Sequence, residues 1–292
     1  MEYRDDARLD QSQIEYAGGG SSPRRGGGIA LGGGAGLVVL LIALFFGLNP
    51  GDLLGSQTPA STAQPASTPS CATGADIAKN RECRWVAYVN SIQSYWGQAM
   101  QGYRPAKMVI FSNAVSTGCG TASSQVGPFY CPPDEKVYLD PVFADQLLKQ
   151  LGAQGGDAAE AYIIAHEYGH HISNLTGTLG KAQTAGGQQT GPKSAQTRLE
   201  LQADCYAGVW FANTLKDPNS AIKTVTADDL NRIVDAAKSV GDDHIQMQST
   251  GGISPESWTH GSSAMRKYWV QKGFSSGNPN VCDTFSTDNL GG

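Results

Sequence analysis

The sequence predicts an α+β fold, a mainly helical domain with a small β-sheet that is preceded by one transmembrane helix. Two short runs, 108–111 and 137–140, have the apolar composition of strands. A charge-free run, residues 29–48, is long enough to cross the hydrocarbon layer of a bilayer. Apolar residues recur at helical spacing in four other stretches, which we predict to be helices: 82–100, 157–175, 194–216 and 226–248.

The chain divides into four parts. Residues 1–28 are polar and Gly-rich, and they predict a disordered cytoplasmic tail because few large apolar side chains are present to offset the entropy of ordering. Two arginines precede residues 29–48, and this bias places the N-terminus inside. Residues 49–70 are rich in Pro, Ser, Thr and Ala, which is typical of an extended linker. Residues 71–292 then form one domain.

These boundaries predict a single-pass protein of the bacterial cytoplasmic membrane. The domain would be extracytoplasmic, and residues 29–48 would contact the lipid bilayer. The net charge of −5 and the charged fraction of 16% argue against a broad phosphate-binding surface. Nucleic acid is therefore excluded as a partner.

The cysteines indicate disulfide bonds. All six follow the apolar run, on the side predicted to be oxidising, and no C-x-x-C pair suggests metal binding. Six cysteines permit fifteen pairings. We expect the two local pairs and the remaining one, namely Cys71 with Cys83, Cys119 with Cys131, and Cys205 with Cys282.

The stretch 165–171, AHEYGHH, contains the pattern H-E-x-x-H. On a helix this spacing puts His166 and His170 on one face, as two ligands of one zinc ion require. Glu167 then lies where a general base can reach a zinc-bound water. Gly169 costs about 1 kcal/mol in a helix interior, which the close approach of another backbone would explain. His171 points off the ligand face and is expected to be a neighbour or a charge partner of the helix C-terminus.

A third ligand is expected on the following helix. Glu200 and Asp204 are again four residues apart. Glu200 is the candidate ligand, and Asp204 is a candidate acceptor that orients a ligating histidine through its other ring nitrogen. A third histidine ligand at position 176 is excluded because the chain has Thr176 there. For His244 we expect an exposed place at a helix end.

Two further candidates lie in residues 257–274 (SWTHGSSAMRKYWVQKGF). His260 is a candidate for stabilising an oxyanion, and Arg266 for holding substrate or a carboxylate. The alternative is that His260 caps a helix that starts near Ser262 and that Arg266 is a surface charge.

Six separated runs within residues 85–285 carry a further signal: GPFYCPPD, VYLD, AYIIAHEYGHHI, ELQADCYAGVW, THGSS and CDTF. Together they resemble the bacterial neutral zinc metallopeptidase family of the YpfJ type. The resemblance implies a zincin-like domain with the gluzincin arrangement, in which His166, His170 and Glu200 hold one Zn²⁺ and water takes the fourth position. Related zinc peptidases also place a downstream histidine at the oxyanion, which His260 would match.

The sequence thus predicts a membrane-anchored zinc metallopeptidase that hydrolyses peptide bonds in a peptide or protein substrate. Glu167 would activate the zinc-bound water and pass its proton to the leaving amine. An edge strand near the metal would hold an extended peptide by β-augmentation. The alternative function is a non-catalytic, zinc-stabilised peptide-binding or scaffold domain at the cell envelope, which has no need of the base Glu167.

Overall fold

Helices make up most of the domain. The computed structural model describes residues 1–17, 70–184, 186 and 188–292. The helices of these residues are α1 (Arg81–Ala99), α2 (Pro141–Gln150), α3 (Asp157–Leu175), α4 (Thr178–Thr184), α5 (Ala195–Thr214), α6 (Ala227–Ser239), α7 (Asp242–Thr250) and α8 (Ser263–Ser276). The strands are β1 (Glu2–Tyr3), β2 (Ile14–Tyr16), β3 (Lys107–Ile110), β4 (Ala114–Thr117), β5 (Gly120–Ser123), β6 (Phe129–Cys131), β7 (Lys136–Leu139) and β8 (Ile222–Thr224).

The main sheet has the strand order β2–β3–β7–β6. Strands β2, β3 and β7 are parallel, and β6 is antiparallel to β7. Alternate side chains of β3 face opposite ways: Met108 and Ile110 join the helical core, whereas Val109 joins a second apolar cluster with residues of the β4–β5 hairpin. Both faces of the sheet are thus covered, one by helices and the other by the hairpin.

The predicted elements of the domain are found with one difference. The helix expected over 226–248 is two helices, because the chain turns between α6 and α7. Gly241 lies at this turn, where an added Cβ would be 2.4 Å from the backbone nitrogen of Ser263. The helix expected over 157–175 has the bounds of α3.

Residues 1–17 are part of the domain, so the prediction of a disordered tail is wrong for them. Strand β1 pairs with β8, and β2 pairs with β3. The segment is held by polar contacts, including Tyr3 Oη to Asp157 Oδ2 at 2.9 Å and Arg4 Nη1 to the Ile222 carbonyl at 3.0 Å. Composition did not predict the ordered structure of residues 1–17, because strand pairing depends on backbone groups and not on apolar side chains.

The membrane topology is also corrected. The prediction placed the N-terminal segment and the domain on opposite sides of a membrane. Strands β1 and β2 pair with strands of residues 71–292, so that arrangement is wrong. Across the described residues, no helix combines the length and apolar character needed to cross a membrane. The long helices α1, α3 and α5 all carry charged side chains.

The predicted transmembrane helix, residues 29–48, lies outside the described residues, as do the linker residues 49–69. The structure gives no support to that helix, to a single-pass location or to contact with a bilayer, and these assignments are withdrawn.

Three disulfides join the cysteines: Cys71 with Cys83, Cys119 with Cys131, and Cys205 with Cys282. These are the pairs expected from the sequence, two from their local separation and the third as the remaining pair. The third one ties the segment after α8 to the middle of α5, the helix that carries Glu200 and Asp204.

Helices α3 and α5 approach closely at Gly169. A Cβ on Gly169 would lie 2.8 Å from both the Cα and the carbonyl oxygen of Ala203. Real Cβ atoms do not come this close to backbone, so a side chain there would force the two helices apart. This contact explains a glycine that helix propensity alone disfavours, and it sets the distance between the histidines of α3 and the carboxylates of α5.

Gly169→Ala is expected to lower the free energy of unfolding by about 1–3 kcal/mol, the usual cost of overpacking, despite the gain in helix propensity. The measurement is chemical denaturation of the full chain. Gly180→Ala is the matched control: Gly180 lies in α4 with no atom within 4 Å of an added Cβ. An unchanged or raised stability of Gly169→Ala would contradict the close-contact explanation.

Candidate metal centre

Three side chains from α3 and α5 converge on one point. His166 Nε2 lies 3.2 Å from His170 Nε2 and 3.2 Å from Glu200 Oε2. His170 Nε2 lies 3.5 Å from Glu200 Oε1. One ligand atom from each of the three residues lies within 4.8 Å of the others, so the group can hold a metal ion.

The donor set fits a cation. His166 Nδ1 lies 2.9 Å from Asp204 Oδ1, and a proton on Nδ1 leaves the lone pair of Nε2 facing His170 and Glu200. Lone pairs that converge in this way repel one another unless a cation or a proton lies between them. Two imidazole nitrogens and one carboxylate oxygen are the ligands of many catalytic zinc sites.

The electrostatics of the site also favour positive charge. Burial acts to lower the pKa of His166, but hydrogen bonds to Asp204 and Glu200 outweigh it and raise that pKa to about 9. Burial acts to raise the pKa of Glu200, but the charges and hydrogen bonds of His170 and His166 hold it well below its usual range. The carboxylate of Glu200 is therefore ionised, as a metal ligand must be.

Asp204 connects the histidines to the rest of the interior. Its side chain is fully buried, and it accepts hydrogen bonds from Tyr162 Oη on α3 and from His166 Nδ1. On the other side it accepts from Arg266 Nε and Nη2 on α8, both at 2.8 Å. The contact with His166 Nδ1 is the one predicted for Asp204, an acceptor that orients a ligating histidine through its other ring nitrogen.

Arg266 is buried, so the alternative of a surface charge is wrong, whereas the predicted contact with a carboxylate is found. The residue is 2% exposed. It forms a bidentate ion pair with Asp204, and its Nη1 donates to the Val240 carbonyl at 3.2 Å. Arg266 thus supplies the counter-charge that a buried carboxylate requires.

His260 lies beside the metal-ligand group. Its Nδ1 lies 3.2 Å from Asp242 Oδ1, and its charge is close enough to Glu200 to affect the pKa of that carboxylate. Burial acts to lower the pKa of His260, but the carboxylate of Asp242 outweighs it and the pKa is raised. His260 is not the cap of α8, because Ser262 Oγ accepts the hydrogen bond from the Met265 N–H.

Asp242 shapes the loop that carries His260. Its Oδ2 accepts hydrogen bonds from the backbone N–H groups of Thr259, His260 and Gly261, at 2.7, 2.6 and 2.9 Å. With the Nδ1 proton of His260 directed to Asp242, the Nε2 atom is the one left for other contacts. Asp242 thereby fixes both the backbone and the ring of His260.

Glu167 is also buried next to the ligand group. Burial raises its pKa, while the charges of His166 and His170 oppose the rise. A carboxylate with a raised pKa is suited to accept a proton near neutral pH.

The remaining histidines have structural contacts. His171 is fully buried. Its Nε2 donates to the Arg104 carbonyl at 2.7 Å, and its Nδ1 lies 2.9 Å from Tyr130 Oη. His171 therefore joins α3 to the sheet and is not a charge partner of the helix end. His244 is half-buried in the first turn of α7, where Nε2 contacts the Leu151 carbonyl at 2.8 Å.

Sequence reasoning missed Tyr162 and Asp242. Tyr162 precedes His166 by one helical turn, so helical periodicity alone could have placed it beside the histidine. Asp242 is 18 residues from His260 and on another element, and no local pattern connects the two.

The H-E-x-x-H helix thus packs against a helix with a glutamate, and the three side chains could hold a metal ion. The chain belongs to the neutral zinc metallopeptidase family: the family model described as "Putative neutral zinc metallopeptidase" matches residues 1–285. This confirms the resemblance and extends it to the N-terminal segment.

Two relatives show how far the similarity reaches. An uncharacterized protein of Mycobacterium tuberculosis strain H37Rv is 46% identical over 258 residues, which cover 85% of this chain and 87% of the relative. The uncharacterized protein YpfJ of Escherichia coli K12 is 37% identical over 252 residues, which cover 84% of each chain. A comparison with the solved structures found no match.

Arg266→Gln is expected to lower the free energy of unfolding by about 3–5 kcal/mol, because it removes the guanidinium that forms the bidentate ion pair with the buried carboxylate of Asp204. Chemical denaturation of the metal-free chain measures this. Arg232→Gln is the control, since Arg232 makes an exposed i, i+4 pair with Asp228 and its loss should leave the unfolding midpoint almost unchanged. If Arg266→Gln raised the KM for peptides at unchanged stability, Arg266 would be a substrate-binding residue.

Proposed function

We propose that the protein is a zinc-dependent peptidase that hydrolyses peptide bonds. The observation that carries the proposal is the convergence of His166, His170 and Glu200 with the buried carboxylate of Glu167 next to them. One Zn²⁺ held by the three ligands would keep a position for water, as catalytic zinc sites do. The family name supports the same activity.

The chain's own residues would carry out the proton transfers. A zinc ion bound here would supply a Lewis acid that lowers the pKa of its water and polarises the substrate carbonyl. Glu167 would accept a proton from the water and donate it to the amine that leaves. The raised pKa of Glu167 favours the first step, because it makes the carboxylate a stronger base.

His260 would stabilise the negative charge that develops on the carbonyl oxygen. The interaction with Asp242 raises the pKa of His260 and so favours a protonated ring, which is the better hydrogen-bond donor to an oxyanion. Because the loop 259–261 is tied to Asp242 through three backbone hydrogen bonds, the ring needs little rearrangement during the reaction.

Strand β6 would bind the substrate backbone. It is the terminal strand of the sheet on the side of α3, and no other described strand pairs with its outer edge. Tyr130 of β6 holds this edge against α3, since Tyr130 Oη contacts His171 Nδ1 and accepts from Asn174 Nδ2, both at 2.9 Å. An extended peptide added to β6 would therefore run next to the ligand helix.

The test of the proposed activity is cleavage of a broad peptide library by the full chain, followed by mass spectrometry. Cleavage should stop with a chelator and return when zinc is added. Stoichiometric zinc binding without cleavage of any peptide would instead support the non-catalytic binding domain. A chain that binds no zinc would overturn both functions.

Glu167→Gln should reduce kcat by on the order of 10²–10⁴-fold while the zinc content stays at the wild-type level, because the change removes the base and keeps the ligands. Turnover of the best library peptide and metal analysis after dialysis are the two measurements. Glu256→Gln, an exposed carboxylate outside the site, is the matched control. Wild-type turnover by Glu167→Gln would rule out this role for Glu167.

His260→Gln is expected to reduce kcat by about 10²–10³-fold with little change in KM or zinc content, since the lost hydrogen bond would form only with the developing oxyanion. Steady-state kinetics on the same peptide separate the two constants. His244→Gln provides the comparison, because His244 contacts the Leu151 carbonyl away from the site. An unchanged kcat would exclude His260 from the chemistry.

A further inference from the structure

One stripe of helix α5 faces the metal centre. Gln196, Glu200 and Asp204 follow one another at intervals of four residues, so their side chains lie on the same side of the helix. Asp204 orients His166, and Glu200 meets the two histidines. Gln196, in the first turn, has no part in the proposed function so far.

The side chain of Gln196 is directed at Glu200. Its Nε2 donates to Glu200 Oε1 at 3.0 Å, and Gln196 is half-buried. The first turn of α5 is fixed by Ser194, whose Oγ accepts from the Thr197 N–H at 3.1 Å. The amide of Gln196 is thus held by an ordered helix start and not by a loop.

The two oxygens of Glu200 have different partners. Oε1 accepts the hydrogen bond from Gln196, while its distance to His170 Nε2 is 3.5 Å. Oε2 lies 3.2 Å from His166 Nε2 and has no amide donor. A carboxylate with one oxygen engaged by a neutral donor has the other one available for a cation.

We propose that Gln196 is a positioning residue that engages Oε1 of Glu200, so that Glu200 binds zinc through Oε2 alone. The inference rests on the proposed metal site. Binding through one oxygen leaves the fourth position of a tetrahedral zinc ion for water, whereas binding through both oxygens would compete for that position. Hydrogen bonds behind a ligand also raise metal affinity by holding the ligand in place.

The test replaces Gln196 with Met, which keeps the chain length and a good helix former but removes the amide donor. Competition with a chromogenic chelator should show a zinc dissociation constant about 10–100-fold higher than that of the wild-type chain. The cobalt(II)-loaded variant should have weaker visible absorption, because a fifth ligand oxygen lowers the intensity typical of tetrahedral cobalt.

Gln98→Met is the matched control. Gln98 is an exposed glutamine of α1 that contacts Ser94 one turn earlier, away from the site, so zinc affinity and cobalt absorption should stay at wild-type values. Thermal unfolding of the metal-free chains checks that each variant is folded. Gln196→Ala takes the place of Gln196→Met if the longer side chain disturbs folding.

The outcomes separate this inference from the proposed function. If the wild-type chain binds zinc and Gln196→Met matches it in zinc affinity and cobalt absorption, Gln196 has no positioning role while the metal site stands. If the wild-type chain binds no zinc, both fail. A tenfold or larger loss of affinity with a changed cobalt spectrum supports the inference.

Discussion

The interior of this protein is organised around one buried negative charge, the carboxylate of Asp204. A carboxylate without solvent must be compensated by cations and hydrogen-bond donors, and here they come from two other helices. Tyr162 and His166 lie on α3, and Arg266 lies on α8. The charge of Asp204 therefore fixes how α3, α5 and α8 lie relative to one another.

Close helix packing makes these contacts possible. At Gly208 and Gly273, which face each other across α5 and α8, an added Cβ would lie 2.2 Å from the Val270 carbonyl oxygen and 2.1 Å from the Cys205 carbonyl oxygen. Together with Gly169, these glycines allow the backbones of α3, α5 and α8 to approach closely, so that His166, Asp204 and Arg266 come into contact. Replacing the ion pair by apolar residues would not necessarily destabilise the fold, but it would remove the acceptor that directs the ring of His166.

The sequence alone predicted the parts of the site whose geometry is local. Residues four apart on one helix lie on one face, so His166 with His170 and Glu200 with Asp204 followed from spacing. Gly169 indicated a close helix contact before its partner was known. Arg266 and Asp242 could not be placed in the same way, because each acts on a residue of a different element and burial decides its role. The disorder predicted for residues 1–17 was wrong because composition does not register strand pairing over long separations.

The pairing of residues 1–17 with the domain changes what the domain is. Ala17 donates its N–H to the Ile110 carbonyl at 2.9 Å. The carbonyl of Ala72, near the start of the second described stretch, accepts the N–H of Leu9 at 3.0 Å. The described fold is thus built from two separate stretches of the chain, residues 1–17 and 70–292, which backbone hydrogen bonds join. The described domain is discontinuous along the chain, and a fragment that began at residue 70 would lack the strands that pair with β3 and β8.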